Sequence, residues 1–243
     1  MRWFRTYIIV FFLAALFMPT AVQAKPQPVM TLAPQNVIGV DCGLPESTTD
    51  SLIILNNETR GYWWDHTDLT VAIQAHPRAN SAYLAAVRAA ISTWNEVLER
   101  CFDGRITLTN VTSAAKNQRQ AVDIILHYVP KAGGMSFSGY ALCNRHRCNN
   151  VLVSSDLPGS KSTPYTPEYL GWVTLHELGH ALGLGHATNL YETPDLMGYG
   201  WPDLGEPVLS DCDVDAIAFV FAWALEGSKP HPPAEGPYDC SLD

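Results

Sequence analysis

An α+β domain is the fold class the chain predicts, on three observations. Short β-rich stretches alternate with longer ones whose apolar residues recur at helical spacing. Three of the helical stretches are long enough to be main helices. With 243 residues and 47 % hydrophobic content, the chain can bury one sizeable core.

The elements follow in order. Residues 69–74 alternate like a half-buried strand, and Ser81 can cap a helix on which Leu84, Val87, Ile91, Trp94 and Leu98 form one apolar face. Stretches 105–111 and 121–129 are β-rich, 151–155 is a shorter strand, and a Gly-rich, cysteine-bounded loop region separates the last two. Thr166, Pro167 and Glu168 combine a side-chain acceptor, a first-turn proline and an acid at the positive end of the dipole, so a helix starts there and runs to about Gly183. Ser210 and Asp213 resemble a capping box opening a third helix through Val214, Ile217, Val220, Phe221 and Leu225.

Around this domain, residues 1–24 read as an export signal: Arg2 and Arg5, an apolar run over 7–18, and small residues at Val22-Gln23-Ala24 for cleavage. A retained N-terminal anchor is the alternative, although the run is short for a bilayer. Residues 25–57 read as a short, loosely structured leader or propeptide-like segment, 58–226 as the main domain, and 227–243 as a tail anchored by Cys240. Cleavage after Ala24 removes two positive charges and moves the net charge from -9 to -11. That balance argues against nucleic acid and anionic membranes as partners. The expected product is a monomer without a membrane span, secreted to an extracellular or periplasmic space. Its six cysteines suit an oxidising compartment, where they allow 15 pairings. Cys143 with Cys148 and Cys212 with Cys240 are the expected bridges, which leaves Cys42 and Cys101.

The stretch HELGHALGLGH, residues 176–186, carries the chemistry. His176 and His180 lie four residues apart and project from one helix face, so both imidazoles can ligate one cation. Gly183 can take the left-handed conformation that stops the helix and turns the chain to bring His186 to the same point. Three protein ligands and one open position describe a catalytic zinc site, whereas four describe a structural one. Glu177 stands beside the metal, where a general base for a zinc-activated water would be.

The pattern of His176, Glu177, His180, Gly183 and His186 resembles the signature of the metzincin metalloproteases. Met197, in TPDLMGYG, matches their methionine turn, a hydrophobic base under the zinc. Tyr199 stands two residues on, where some metzincins carry a tyrosine that approaches the metal or the oxyanion. Within metzincins the chain looks most like the matrixins, the matrix metalloprotease family. The likeness covers roughly residues 60–225 and is strongest in VTLHELGHALGLGHA, with weaker matches around Trp64 and in LSDCDVDAI. It implies a twisted, mostly parallel five-stranded sheet over the active-site helix. A cleft whose upper-rim strand aligns a protein or peptide substrate goes with it. One catalytic zinc is implied; structural calcium stays open, and a second, structural zinc is not expected because 130–156 offers only His146.

VDCGLPE, residues 40–46, resembles the matrixin cysteine switch, in which the thiolate of Cys42 would fill zinc's fourth position. Asp41 replaces the family's arginine, and a disulfide between Cys42 and Cys101 is the competing reading. The functional expectation is a secreted zinc endopeptidase. Its rival is a zinc-holding binding or adhesion module without turnover, against which stands Glu177, since binding alone needs no general base.

Overall fold

In the computed structural model, residues 42–55, 63–77, 79–115, 121–130, 138–143, 147–155, 165–199, 204–234 and 237–242 are described, all within one unit spanning Gln35–Asp243. The expected export signal, most of the expected leader and His146 lie outside the described residues. In chain order the elements are β1 (Ser51–Ile54), β2 (Asp68–Ala75), α1 (Ser81–Phe102), β3 (Thr107–Asn110), α2 (Thr112–Ala115), β4 (Ile124–Val129), β5 (Gly139–Leu142) and β6 (Asn150–Ser154). There follow α3 (Pro167–Leu182), β7 (Leu184–Ala187), α4 (Asp211–Val220), α5 (Ala222–Leu225) and β8 (Pro237–Asp239).

Alternation decides which way the main sheet faces. Leu69, Val71 and Ile73 of β2, Ile124, Leu126 and Tyr128 of β4, and Val151 and Val153 of β6 point to one buried side. Helices α1 and α3 pack there, against each other and the sheet. The order is β3-β2-β4-β6-β5, with β2, β3, β4 and β6 parallel and β5 antiparallel at the edge. The cap of α1 is Asn80, one residue before the expected Ser81: its Oδ1 accepts from the Ala82 N–H at 2.8 Å. Thr166 caps α3 by accepting from the Tyr169 N–H at 3.2 Å. At α4, Asp213 Oδ2 accepts from the Ser210 N–H at 2.9 Å. The third helix is interrupted at Phe221, whose backbone leaves the helical range before α5 begins.

A second sheet departs from the sequence reading. It has three strands in the order β7-β1-β8, both pairings antiparallel. Its middle strand comes from the expected loose leader and buries Leu52 and Ile54 in the common core. Residues 42–55 are therefore part of the folded body. The tail likewise contributes a strand, β8, beside the Cys212–Cys240 bridge.

The other disulfides are Cys143–Cys148 and Cys42–Cys101. The last corrects the cysteine-switch reading: a sulfur bonded to Cys101, in the last turn of α1, is no thiolate and cannot serve as a metal ligand. Among the described residues, no helix is long and apolar enough to cross a membrane.

Candidate metal centre

Helix α3 ends where its ligands are needed. Gly183 has φ 111° and ψ 1°, a left-handed conformation that a β-carbon would strain, and its N–H closes the helix on the Gly179 and His180 carbonyls. The next residues become β7, which carries His186 back toward His176 and His180. The ligating atoms of these three histidines all lie within 4.8 Å of one another, with His180 Nε2 and His186 Nε2 3.1 Å apart. Among the described residues this is the one group of three or more His, Cys, Asp or Glu side chains gathered closely enough for a metal ion.

The tautomers follow from what the other ring nitrogens do. His176 Nδ1–H donates to the Leu196 carbonyl at 2.6 Å, and His180 Nδ1–H donates to the Leu184 carbonyl at 2.8 Å. Each Nε2 therefore carries the lone pair. His176 Nε2 is buried and has no hydrogen-bond partner, an orphan that a cation on the three imidazoles would satisfy. Burial pushes His176 down to about 4, holds His180 well below the ordinary histidine value and lowers His186. All three are neutral near pH 7, the state that metal ligation requires. Three imidazoles, two of them held by backbone acceptors, suit zinc, which fits this donor set.

Glu177 lies against edge strand β5. It is 6 % exposed, its Oε2 has no partner, and the Ala141 backbone N–H hydrogen-bonds the carboxylate. Burial pushes its pKa up to about 8 against that hydrogen bond. A cation held by the neighbouring imidazoles pulls the other way, toward the ionised form. A β-carbon on Gly139 would sit 2.8 Å from Glu177 Cγ and Oε1, so the strand approaches this closely only because residue 139 has no side chain. Neither Gly139 nor Ala141 was visible as a neighbour of Glu177 in the sequence, because both lie in the stretch read as loop. The nearest signal was its richness in glycine.

Met197 is fully buried; its sulfur faces Gly179 of α3, and its carbonyl accepts from the Ala187 N–H at 3.0 Å. Tyr199 is 39 % exposed, and its hydroxyl lies 2.7 Å from His186 Nε2. The structure thus gathers His176, Glu177, His180, His186, Met197 and Tyr199 in one place and keeps Cys42 out of the ligand set. His66 joins another network, with Nδ1 2.8 Å from Asp65 and Nε2 3.2 Å from Asp123.

The arrangement defines a three-histidine metal-binding centre with a buried carboxylate beside it. No family model matches the chain, and no curated protein matches it. Similar solved structures include the archaemetzincin of Methanopyrus kandleri, at 16 % identity and TM-score 0.34 over 62 % of this chain and 87 % of that one. Another is high choriolytic enzyme 1, a hatching enzyme zinc-protease from the medaka Oryzias latipes, at 18 % identity and TM-score 0.31 over 53 % and 52 %. A third is metalloproteinase-II from Bacteroides fragilis, at 18 % and TM-score 0.36 over 76 % and 59 %. These likenesses carry no chemistry over to this chain, which is left to its own residues.

Proposed function

We propose that the protein is an exported zinc-dependent endopeptidase of the metzincin type, nearest the matrixins in its motif, with Glu177 as general base. The observation that carries this reading is a buried, half-unpartnered carboxylate on the helix that carries His176 and His180, beside the point on which those two neutral imidazoles and that of His186 converge. His176, His180 and His186 would hold the metal. Bound there, zinc supplies Lewis acidity, lowering the pKa of a water to about 7 and polarising the substrate carbonyl.

The chain's own residues do the rest. Glu177 takes the proton of the attacking water on Oε2 and passes it to the leaving amine. Tyr199, whose hydroxyl already reaches His186, is placed to donate to the negative charge that develops on the carbonyl oxygen. Strand β5, at the sheet edge and against Glu177, is where an extended peptide would add as a further strand. Met197 fills the space beneath the centre with a side chain that offers no competing charge.

The test is a mixed peptide library incubated with the purified protein, with and without chelator, followed by sequencing of the cleaved ends. Chelator-sensitive internal cleavage is expected. Glu177→Gln should keep its zinc and lose about 10²–10⁴-fold in rate. Undiminished cleavage by that variant would overturn the assignment, and zinc binding without cleavage by the parent would favour the binding-module reading.

A further inference from the structure

All three metal-binding histidines are steadied by chain that residues 45–55 grip. His186 lies in β7, and β7 pairs with β1 through Leu52 opposite Ala187 and Ile54 opposite Leu184. The Leu184 carbonyl is the acceptor that orients His180. Two further bonds clamp the ends of β7: the Leu55 N–H donates to the Gly183 carbonyl at 2.9 Å and the Thr188 N–H to the Ser51 carbonyl at 3.0 Å. The strands meet closely, since a β-carbon on Gly185 would stand 2.5 Å from the Ile53 carbonyl oxygen.

The third histidine is reached by another route. His176 is oriented by the Leu196 carbonyl, and the residue before Leu196 is Asp195, which is 2 % exposed. Asp195 Oδ2 accepts from the Ser47 hydroxyl at 2.7 Å and the Thr48 N–H at 3.0 Å. Thr48 and Thr49 also meet the Thr193 hydroxyl, at 2.8 and 3.2 Å. Outer-shell groups of this kind fix ring orientation, and losing one typically lowers metal affinity 10–100-fold.

We propose that residues 45–55 are a resident clasp of the metal centre, retained in the working protein, with Asp195 the positioning residue through which they hold His176. A removable leader would free the site when it left. This segment, once removed, takes with it the support of all three ligands. Cys42–Cys101 tethers its N-terminal end, so cutting the chain alone does not release it. The proposal rests on the three histidines being metal ligands and is read by zinc retention, which is independent of peptide cleavage.

The experiment places a site-specific protease sequence between Leu55 and Trp63 of the full chain, loads zinc, and follows zinc release to a chromogenic chelator. Four samples are compared: uncut or cut, each with or without a phosphine reductant. Zinc release at least tenfold faster is expected only in the cut and reduced sample. Equal release in all four, or activity that rises after cutting and reduction, overturns the clasp. Equally fast release in uncut reduced protein also overturns it, because the effect would then belong to the disulfides themselves. A protein that takes up no zinc in any sample fails the ligand assignment instead. As a second arm, Asp195→Ala should release zinc at least tenfold faster than the parent while Asp195→Asn, which keeps an acceptor for Ser47 and Thr48, recovers most of the retention. A folded Asp195→Ala that releases zinc at the parental rate removes Asp195 from the proposal.

Discussion

Helix α3 and the 45–55 segment bear on the same three histidines by opposite means. On the helix, His176 and His180 share a face by helical periodicity, and His180 is oriented by a carbonyl four residues away. The segment reaches the centre across 148 residues from Ser47 to Asp195 and 137 from Ser51 to Thr188. Local geometry sets two ligands in relation to each other whatever the rest of the chain does. Long-range pairing sets where the third stands, and it exists only in the finished fold.

Substitutions at or beside the centre can break or sharpen that contrast. The greatest effect on zinc affinity is expected at Gly183, the hinge between the two systems. In Gly183→Val a β-branched residue must hold φ near 111°, at a cost of roughly 1–2 kcal/mol for the left-handed backbone. His186 should lose its position as well, so zinc affinity measured by chelator competition should fall about 10–100-fold. Unchanged affinity would mean that β1 alone positions His186.

Tyr199→Phe tests the reacting face and should leave both supports intact. Removing one hydrogen bond to a charged group costs about 1.5–3 kcal/mol, so kcat should fall roughly tenfold or more with zinc content unchanged. A change confined to KM would instead place Tyr199 in substrate binding.

Asp213 probes the long-range side. It is fully buried, with Oδ1 unpartnered, and burial pushes its carboxyl up to about 7 from 3.8. Asp195 and Asp211 add to the rise, and the clasp grips both, Asp211 through the Ser47 N–H at 2.8 Å. Because the folded value lies above the unfolded one, this group's stabilisation is complete below about pH 4 and is lost as pH rises through about 7. Comparing melting of metal-free parent and Asp213→Asn between about pH 5 and pH 8 isolates it from the histidines. The variant should lose less stability on the way up, and parallel curves would refute the assignment.

The smallest effect is expected from Thr166→Ala, at the far end of α3. Loss of its cap bond to the Tyr169 N–H should cost about 1 kcal/mol in denaturant unfolding. Zinc affinity should not move, because the strain stays at the end of the helix remote from the ligands.

The same contrast explains what could be read in advance. The ligand trio, Glu177, the Thr166 start of α3 and the bridge over the Cys143 loop all follow from spacings of a few residues. Strands β1, β5, β7 and β8 are three or four residues long, too short for alternation to register, and β7 hides in the ligand motif itself. Ser47, Thr48 and Thr49 fell within the stretch read as a loosely structured leader. Their meaning comes from Asp195 and Thr193, which only the closed structure brings to them. Four strands of the main sheet were legible and the family resemblance implied a mostly parallel sheet of five, but the strand order and the antiparallel edge are seen only in the structure, since parallel neighbours need not be consecutive in the chain.

The second sheet also sets a timetable. Its centre strand comes early in the chain, but β8, which flanks it, ends at Asp239. Neither β7 nor β8 can pair with β1 until a long stretch of chain beyond it has emerged, and contacts of such sequence separation form slowly. A nascent chain therefore holds the HELGHALGLGH stretch without the finished scaffold around it. The cell that makes the protein meets the finished scaffold only after synthesis has passed Asp239.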